Sequence, residues 1–164
     1  MKRIGIISDS HGYIHPEVFT FFNDVDEIWH AGDIGSIELS DKLEKFKPLR
    51  AVYGNIDGSD IRLVHPKHQI FTIEEVKIFM VHIGGYPGRY EKEALQIINK
   101  EKPNLFISGH SHILKVINDN KRKMLHINPG AVGNNGFHQK ITAIKFEIHG
   151  NIFKNMNVFE VNRT

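Results

Sequence analysis

Five short stretches of the chain place aspartate, asparagine or histidine directly after an apolar run: Ser8-Asp9-Ser10-His11-Gly12, Gly32-Asp33, Gly54-Asn55-Ile56-Asp57, Val81-His82 and Gly109-His110-Ser111-His112. Each run could form a buried strand, and the polar groups sit on or beside glycines that permit turns. A fold consistent with this order delivers these groups on loops at strand ends. Seven of them, Asp9, His11, Asp33, Asn55, His82, His110 and His112, are residue types that ligate metals.

Bulk properties narrow the frame. At 164 residues and 40% hydrophobic composition, the chain supports one domain spanning residues 1–164 with a real core. Lys and Arg total 21 against 19 Asp and Glu, a net charge of +2 that places no basic face, so no duplex nucleic acid is expected as a partner. Cysteine is absent, which excludes disulfides, thiolate metal sites and thiol nucleophiles and fits a reducing compartment. Met1-Lys2-Arg3 precedes an apolar run that Ser8 interrupts too early for an export signal. No segment approaches the roughly 18 apolar residues of a membrane span. The expectation is a cytoplasmic protein with no membrane partner.

Periodicity then orders the elements. Residues 4–7 read as a strand buried on both faces. Pro16 suits a first helical turn, with Val18, Phe19 and Phe22 as the apolar stripe. Residues 27–29 read as a strand, residues 37–46 as an amphipathic helix stopped by Pro48, and residues 49–53 as a third strand. This alternation implies a mostly parallel sheet in an α/β chain. Further on, residues 69–73 and 76–81 read as a hairpin turning at Glu74-Glu75, and residues 89–100 as a helix ended by Pro103. Strands follow over residues 105–108, 113–117 and 123–127, the last two joined at Asn118-Asp119-Asn120. Residues 141–148 and 152–159 alternate around His149-Gly150-Asn151 as a final hairpin, so the sheet direction is mixed.

Taken singly, each polar group has an ordinary structural explanation: a cap or turn for Asp9-Ser10-His11, a left-handed turn residue for Asn55, a satisfied histidine for His82. Their joint occurrence in this order argues for a metal centre. The two oxygens of Asp33 suit it to bridge two ions. Mixed nitrogen and oxygen donors without sulfur suit Mn, Fe, Zn, Ni or Co better than Ca or copper(I).

The ordered set Asp9-x-His11, Gly32-Asp33, Gly54-Asn55-x-Asp57, His82 and Gly109-His110-x-His112 resembles the calcineurin-like metallophosphoesterases, most closely their small bacterial and archaeal phosphodiesterases. Members of that group are also similar to the retromer scaffold subunit. The match runs from about residue 4 to residue 136. The resemblance implies a four-layer sandwich of two mixed β-sheets flanked by helices (α+β in some schemes). It implies one metal held by Asp9, His11, Asp33 and His112, and a second held by Asp33, Asn55, His82 and His110. It also implies two divalent ions, manganese first among them with Fe, Zn, Ni or Co as alternatives, and hydrolysis of a small phosphate ester, nucleotide-like esters among the candidates, by in-line attack of a hydroxide between the metals. The same seven residues would be the catalytic set.

Many relatives that cleave monoesters carry a histidine after the asparagine as a proton donor, whereas this chain has Ile56, which points to phosphodiesters and leaves leaving-group protonation to water or Asp57. Arg89 and Tyr86, with Asn55, are candidate substrate contacts on a rim loop, although a rigid turn leading into a helix explains that loop equally well. His30 reads either as a support for the Asp33 carboxylate or as a buried histidine. His15 reads as a helix N-terminal residue, and His65 and His68, flanking Pro66, as solvent-exposed. The 128–133 loop is expected to pack beside the metals without binding them. The competing class is a non-catalytic protein-interaction scaffold on the same fold. An oligomer is compatible with the sequence.

Overall fold

The computed structural model describes residues 1–164. In chain order the elements are β1 (Lys2–Ile7), α1 (Pro16–Phe21), β2 (Glu27–His30), α2 (Ile37–Phe46), β3 (Leu49–Ala51), α3 (Ser59–Val64), β4 (His68–Ile73), β5 (Val76–Val81), β6 (Gly85–Tyr86), β7 (Arg89–Tyr90), α4 (Lys92–Glu101), β8 (Leu105–Ile107), β9 (Leu114–Asp119), β10 (Met124–Pro129), β11 (Lys140–His149) and β12 (Ile152–Asn162). Two five-stranded sheets form, ordered β12-β11-β1-β2-β3 and β4-β5-β8-β10-β9. In the first, β1, β2 and β3 are parallel, with β11 and β12 antiparallel to their neighbours. In the second, β5, β8 and β10 are parallel, and β4 and β9 flank them antiparallel.

Alternation along β1 explains why its sequence is apolar from Ile4 to Ile7, after the exposed Lys2 and Arg3. Ile4 and Ile6 face the second sheet, in a core shared with Trp29, Ile78, Met80, Leu105 and Ile107. Ile7 faces the other way, into a cluster with Val18, Phe22, Leu39 and Leu43 from the α1 and α2 side. On the far face of the second sheet, Phe79 and Phe106 pack on Ala94 and Ile98 of α4. The layers are therefore helices, sheet, sheet and helix, the expected sandwich of two mixed sheets. Trp29 is fully buried, and its indole N–H donates to Glu27 Oε1 at 2.9 Å, so the largest core side chain leaves no polar atom unpaired. No helix is long and apolar enough to cross a membrane.

Local expectations depart from the structure in four places. The helix expected over residues 89–100 starts at Lys92, because Gly85–Tyr86 and Arg89–Tyr90 pair as a small hairpin around Pro87-Gly88 and the Glu91 carboxylate caps the N–H groups of Glu93 and Ala94. The short helix α3 was not expected, since only Ile61 in it is buried and six residues give little periodicity. Strand β9 runs on to Asp119, so its turn lies about two residues later than Asn118-Asp119-Asn120 suggests. His65 is buried rather than exposed, with Nε2 2.7 Å from Ser40 Oγ, and His68 is half-buried on β4 with its ring against Phe79.

Candidate metal centre

The parallel strands of both sheets bring their C-terminal ends to one edge of the sandwich. Asp9 and His11 follow β1, Asp33 follows β2, Asn55 follows β3, His82 follows β5, and His110 and His112 follow β8. Five of these residues, Asp9, His11, Asp33, His110 and His112, have left-handed backbones with φ between 47° and 72°. That conformation is unfavourable for a residue with a Cβ, and it persists only where surrounding structure enforces it. Here the loop after β1 is bonded to the loop after β2, through Asp9 N–H to Gly32 O (2.9 Å), His11 N–H to Asp33 O (3.0 Å) and Gly12 N–H to Ile34 O (2.8 Å).

Each carboxylate uses one oxygen for scaffolding and leaves the other facing the centre. Asp9 Oδ2 accepts from Ser8 Oγ at 2.6 Å and from His110 N–H at 3.0 Å. Asp33 Oδ1 accepts from Ile56 N–H at 3.1 Å. The remaining oxygens meet imidazole nitrogens: Asp9 Oδ1 is 3.2 Å from His112 Nε2, and Asp33 Oδ2 is 3.2 Å from His82 Nε2 and 3.6 Å from His11 Nε2. Asp9, His11 and His112 form one donor set and Asp33, His82 and His110 another, the donor atoms of each lying within 4.8 Å of one another. Asp33 Oδ2 reaches towards both sets. Asn55 Oδ1 lies 3.1 Å from His110 Nδ1, at the second set.

Asp9 Oδ1, His11 Nε2 and His82 Nε2 are buried and make no hydrogen bond. Buried polar atoms are normally paired, and these three converge with their lone pairs on shared space, the arrangement a cation would satisfy. His82 Nδ1 lies 2.8 Å from the Ala31 carbonyl, which can only accept, so Nδ1 carries a proton and Nε2 is the ring atom turned to the centre, where a metal would take the place of any proton it holds. Burial pushes the Asp9 and Asp33 carboxyls up, but neighbours outweigh it, His112, His82 and Ser8 at Asp9, and His82 and the Ile56 N–H at Asp33. Both are held below their ordinary value. Burial pushes His82 down, yet Asp33 and Asp9 outweigh it and raise it. A metal entering here would displace a proton.

The remaining expectations divide. His30 does not orient the Asp33 carboxylate: its Nδ1 accepts from Gly32 N–H at 3.1 Å and its Nε2 lies 2.8 Å from Ser10 Oγ, so it braces two loops as a buried, satisfied histidine. Burial lowers its pKa to about 4. Asp57 is corrected as a proton donor, since its carboxylate accepts N–H groups from Ile34, Gly35 and Gly54 and is turned into the scaffold. His15 caps α1 by accepting from Glu17 N–H, with its ring against Phe159. Arg89 and Tyr86 line a cavity of about 300 Å³ that shares His110 and Ser111 with a larger one of about 500 Å³ over the donor sets. The 128–133 loop bonds to Ser8 O and Asp9 O through Val132 and Gly133 without offering a donor side chain. His138 had no sequence signal, yet its Nδ1 lies 3.0 Å from His112 Nδ1.

Gly54 is a point of close approach, where a Cβ would meet the backbone N and carboxylate of Asp33. Gly54→Ala is expected to displace Asp33 and destabilise the fold by about 2 kcal/mol, a fall in Tm of roughly 5 °C, measurable by calorimetry. An unchanged Tm would show that Asp33 tolerates the shift.

Fold and donor set together define a double-sheet α/β protein with a metal-binding centre at its strand ends. Residues 1–151 match the sequence profile of the calcineurin-like phosphoesterase superfamily domain, and the chain belongs to that family. A probable metallophosphoesterase of Methanocaldococcus jannaschii is 34% identical over 134 residues, covering 78% of this chain and 67% of that protein. One from Methanothermobacter thermautotrophicus is 33% identical over 136 residues, covering 78% and 76%. In fold alone, Chaetomium thermophilum Vps29 is similar at a TM-score of 0.79 and 17% identity, covering 100% of this chain and 99% of that one.

Proposed function

We propose that this protein is a phosphodiesterase that binds two divalent cations, manganese first among them, with Asp9, His11, Asp33 and His112 holding one and Asp33, Asn55, His82 and His110 the other. The convergence of three buried, unpaired donor atoms, Asp9 Oδ1, His11 Nε2 and His82 Nε2, carries this reading. When bound, such ions acidify water and neutralise charge on phosphoryl oxygens. The chain's own residues fix the geometry. Ser8, the His110 amide and the Ile56 amide hold the two carboxylates, while Ala31 holds the His82 ring.

Substrate preference follows from the rim. Ile56, Ile113 and Phe137, all exposed, line the larger cavity beside the centre and suit the organic groups of an ester. With Ile56 after Asn55 and Asp57 bonded into the scaffold, neither residue supplies a general acid, which favours diesters with good leaving groups over alkyl monoesters. Arg89 and Tyr86 are placed to contact a substrate that extends past His110.

Purified protein with Mn²⁺ is expected to hydrolyse bis(p-nitrophenyl) phosphate faster than p-nitrophenyl phosphate, and a chelator should abolish both. Faster turnover of the monoester would overturn the diester preference. A protein that binds metal and hydrolyses neither would instead be a scaffold on the same fold.

A further inference from the structure

His112 and His138 form a directed chain of hydrogen bonds that closes on Asp9. The Gly133 N–H donates to Asp9 O at 3.2 Å, fixing the Gly133 peptide beside the centre. His138 Nε2 lies 2.7 Å from Gly133 O. A carbonyl oxygen can only accept, so Nε2 of His138 carries a proton, and the neutral ring has a bare Nδ1. That Nδ1 lies 3.0 Å from Nδ1 of His112 and accepts its proton. His112 then has a bare Nε2, the atom 3.2 Å from Asp9 Oδ1 in the first donor set. The rings sit edge to face, their centroids 4.9 Å apart. A Cβ on Gly136 would press on the His112 ring at 2.5 Å, and Arg163 near the chain's end donates to Gly136 O, so this loop is held against the pair.

We propose that His138 is a positioning residue that locks His112 in the Nδ1–H tautomer, with Nε2 presented to a cation at the Asp9, His11 and His112 set. The inference rests on the metal-centre reading above for its consequence, but the tautomer itself is a property of the metal-free chain. A free neutral histidine side chain favours the opposite, Nε2–H form, and the Asp9 carboxylate 3.2 Å from Nε2 favours it too, so a preference of His112 for Nδ1–H must come from His138. Ala31 plays the corresponding part for His82 with a backbone carbonyl. A histidine in that role adds a ring whose own orientation is fixed by Gly133.

The test compares the unsubstituted protein with His138→Phe, which keeps a ring and removes the acceptor, and His138→Gln, which can still accept and donate. Imidazole ¹⁵N shifts of the chelator-treated protein at pH 8 should show His112 as Nδ1–H in the unsubstituted protein and in His138→Gln, and shifted towards Nε2–H in His138→Phe. Titration calorimetry with Mn²⁺ should show roughly 10–100-fold weaker binding at one of two sites in His138→Phe, with the other unchanged. An Nε2–H His112 in the unsubstituted protein would overturn the proposal, as would an unchanged tautomer in His138→Phe. A correct tautomer without any metal binding would instead overturn the metal-centre reading alone.

Discussion

Asp33→Asn is expected to leave the fold standing while metal content, two ions per chain on the proposed reading, falls to one or none, and Mn²⁺-dependent hydrolysis of bis(p-nitrophenyl) phosphate drops at least about 100-fold. The substitution separates the two jobs of this side chain. Asp33 Oδ1 accepts the Ile56 N–H, and an amide oxygen accepts it equally well, so the loop after β3 keeps its anchor. Asp33 Oδ2 faces His82 Nε2 at 3.2 Å and His11 Nε2 at 3.6 Å, and an NH₂ in its place carries no negative charge and no lone pair for a cation. It would also donate to the bare Nε2 of His82, occupying the donor the second set depends on. Elemental analysis, a thermal melt and the hydrolysis assay on one preparation decide the matter. Full metal content with undiminished turnover would remove Asp33 from the centre.

The convergence of the seven candidate residues was legible because each stands just beyond an apolar run, and strand ends are where a buried backbone releases its side chains into a shared edge. The sandwich was legible in part. Apolar residues on both faces of β1 announced a strand covered on both sides, but periodicity alone does not say whether helices or a second sheet supply the cover, and the two-sheet expectation came from resemblance. What stayed hidden depends on long-range placement. Asp57 sits next to a site motif, yet its carboxylate is committed to Ile34 and Gly35, more than twenty residues away, as well as to Gly54. His65 looks exposed beside Pro66 until Ser40, 25 residues distant, is packed against it. His138 follows no strand, and only the turn of its loop onto His112 gives it a role. The β6–β7 hairpin was missed because Pro87-Gly88 and the Glu91 cap act against the helical spacing that begins at Arg89.

The chelator-treated protein is expected to lose about 4 kcal/mol of stability between pH 7.5 and pH 4.5. His30 and His126 are fully buried and neutral, and burial lowers each from an ordinary value of 6.5 to about 4. The unfolded chain therefore binds more protons than the folded one between those two values. Stability from these groups is present in full above about pH 6.5 and is lost as pH falls towards 4, at a cost of about 2 kcal/mol each by pH 4.5. Asp9 and Asp33, held below their ordinary value, lose their contribution on the same acid side but at lower pH. His82 is raised and acts in the opposite sense, its contribution present in acid and lost as pH rises through its folded value, so it offsets part of the drop. The second buried ring identifies the cause. His126 has an unpaired Nε2 and its Nδ1 3.2 Å from Phe106 O, and although it lines the smaller cavity with His110 it belongs to neither donor set, so His126→Leu removes one titrating group without removing a donor. Urea unfolding at both pH values should show the drop in the unsubstituted protein and about half of it in His126→Leu. A stability that stays flat from pH 7.5 to 4.5 would mean that neither ring is neutral because of burial.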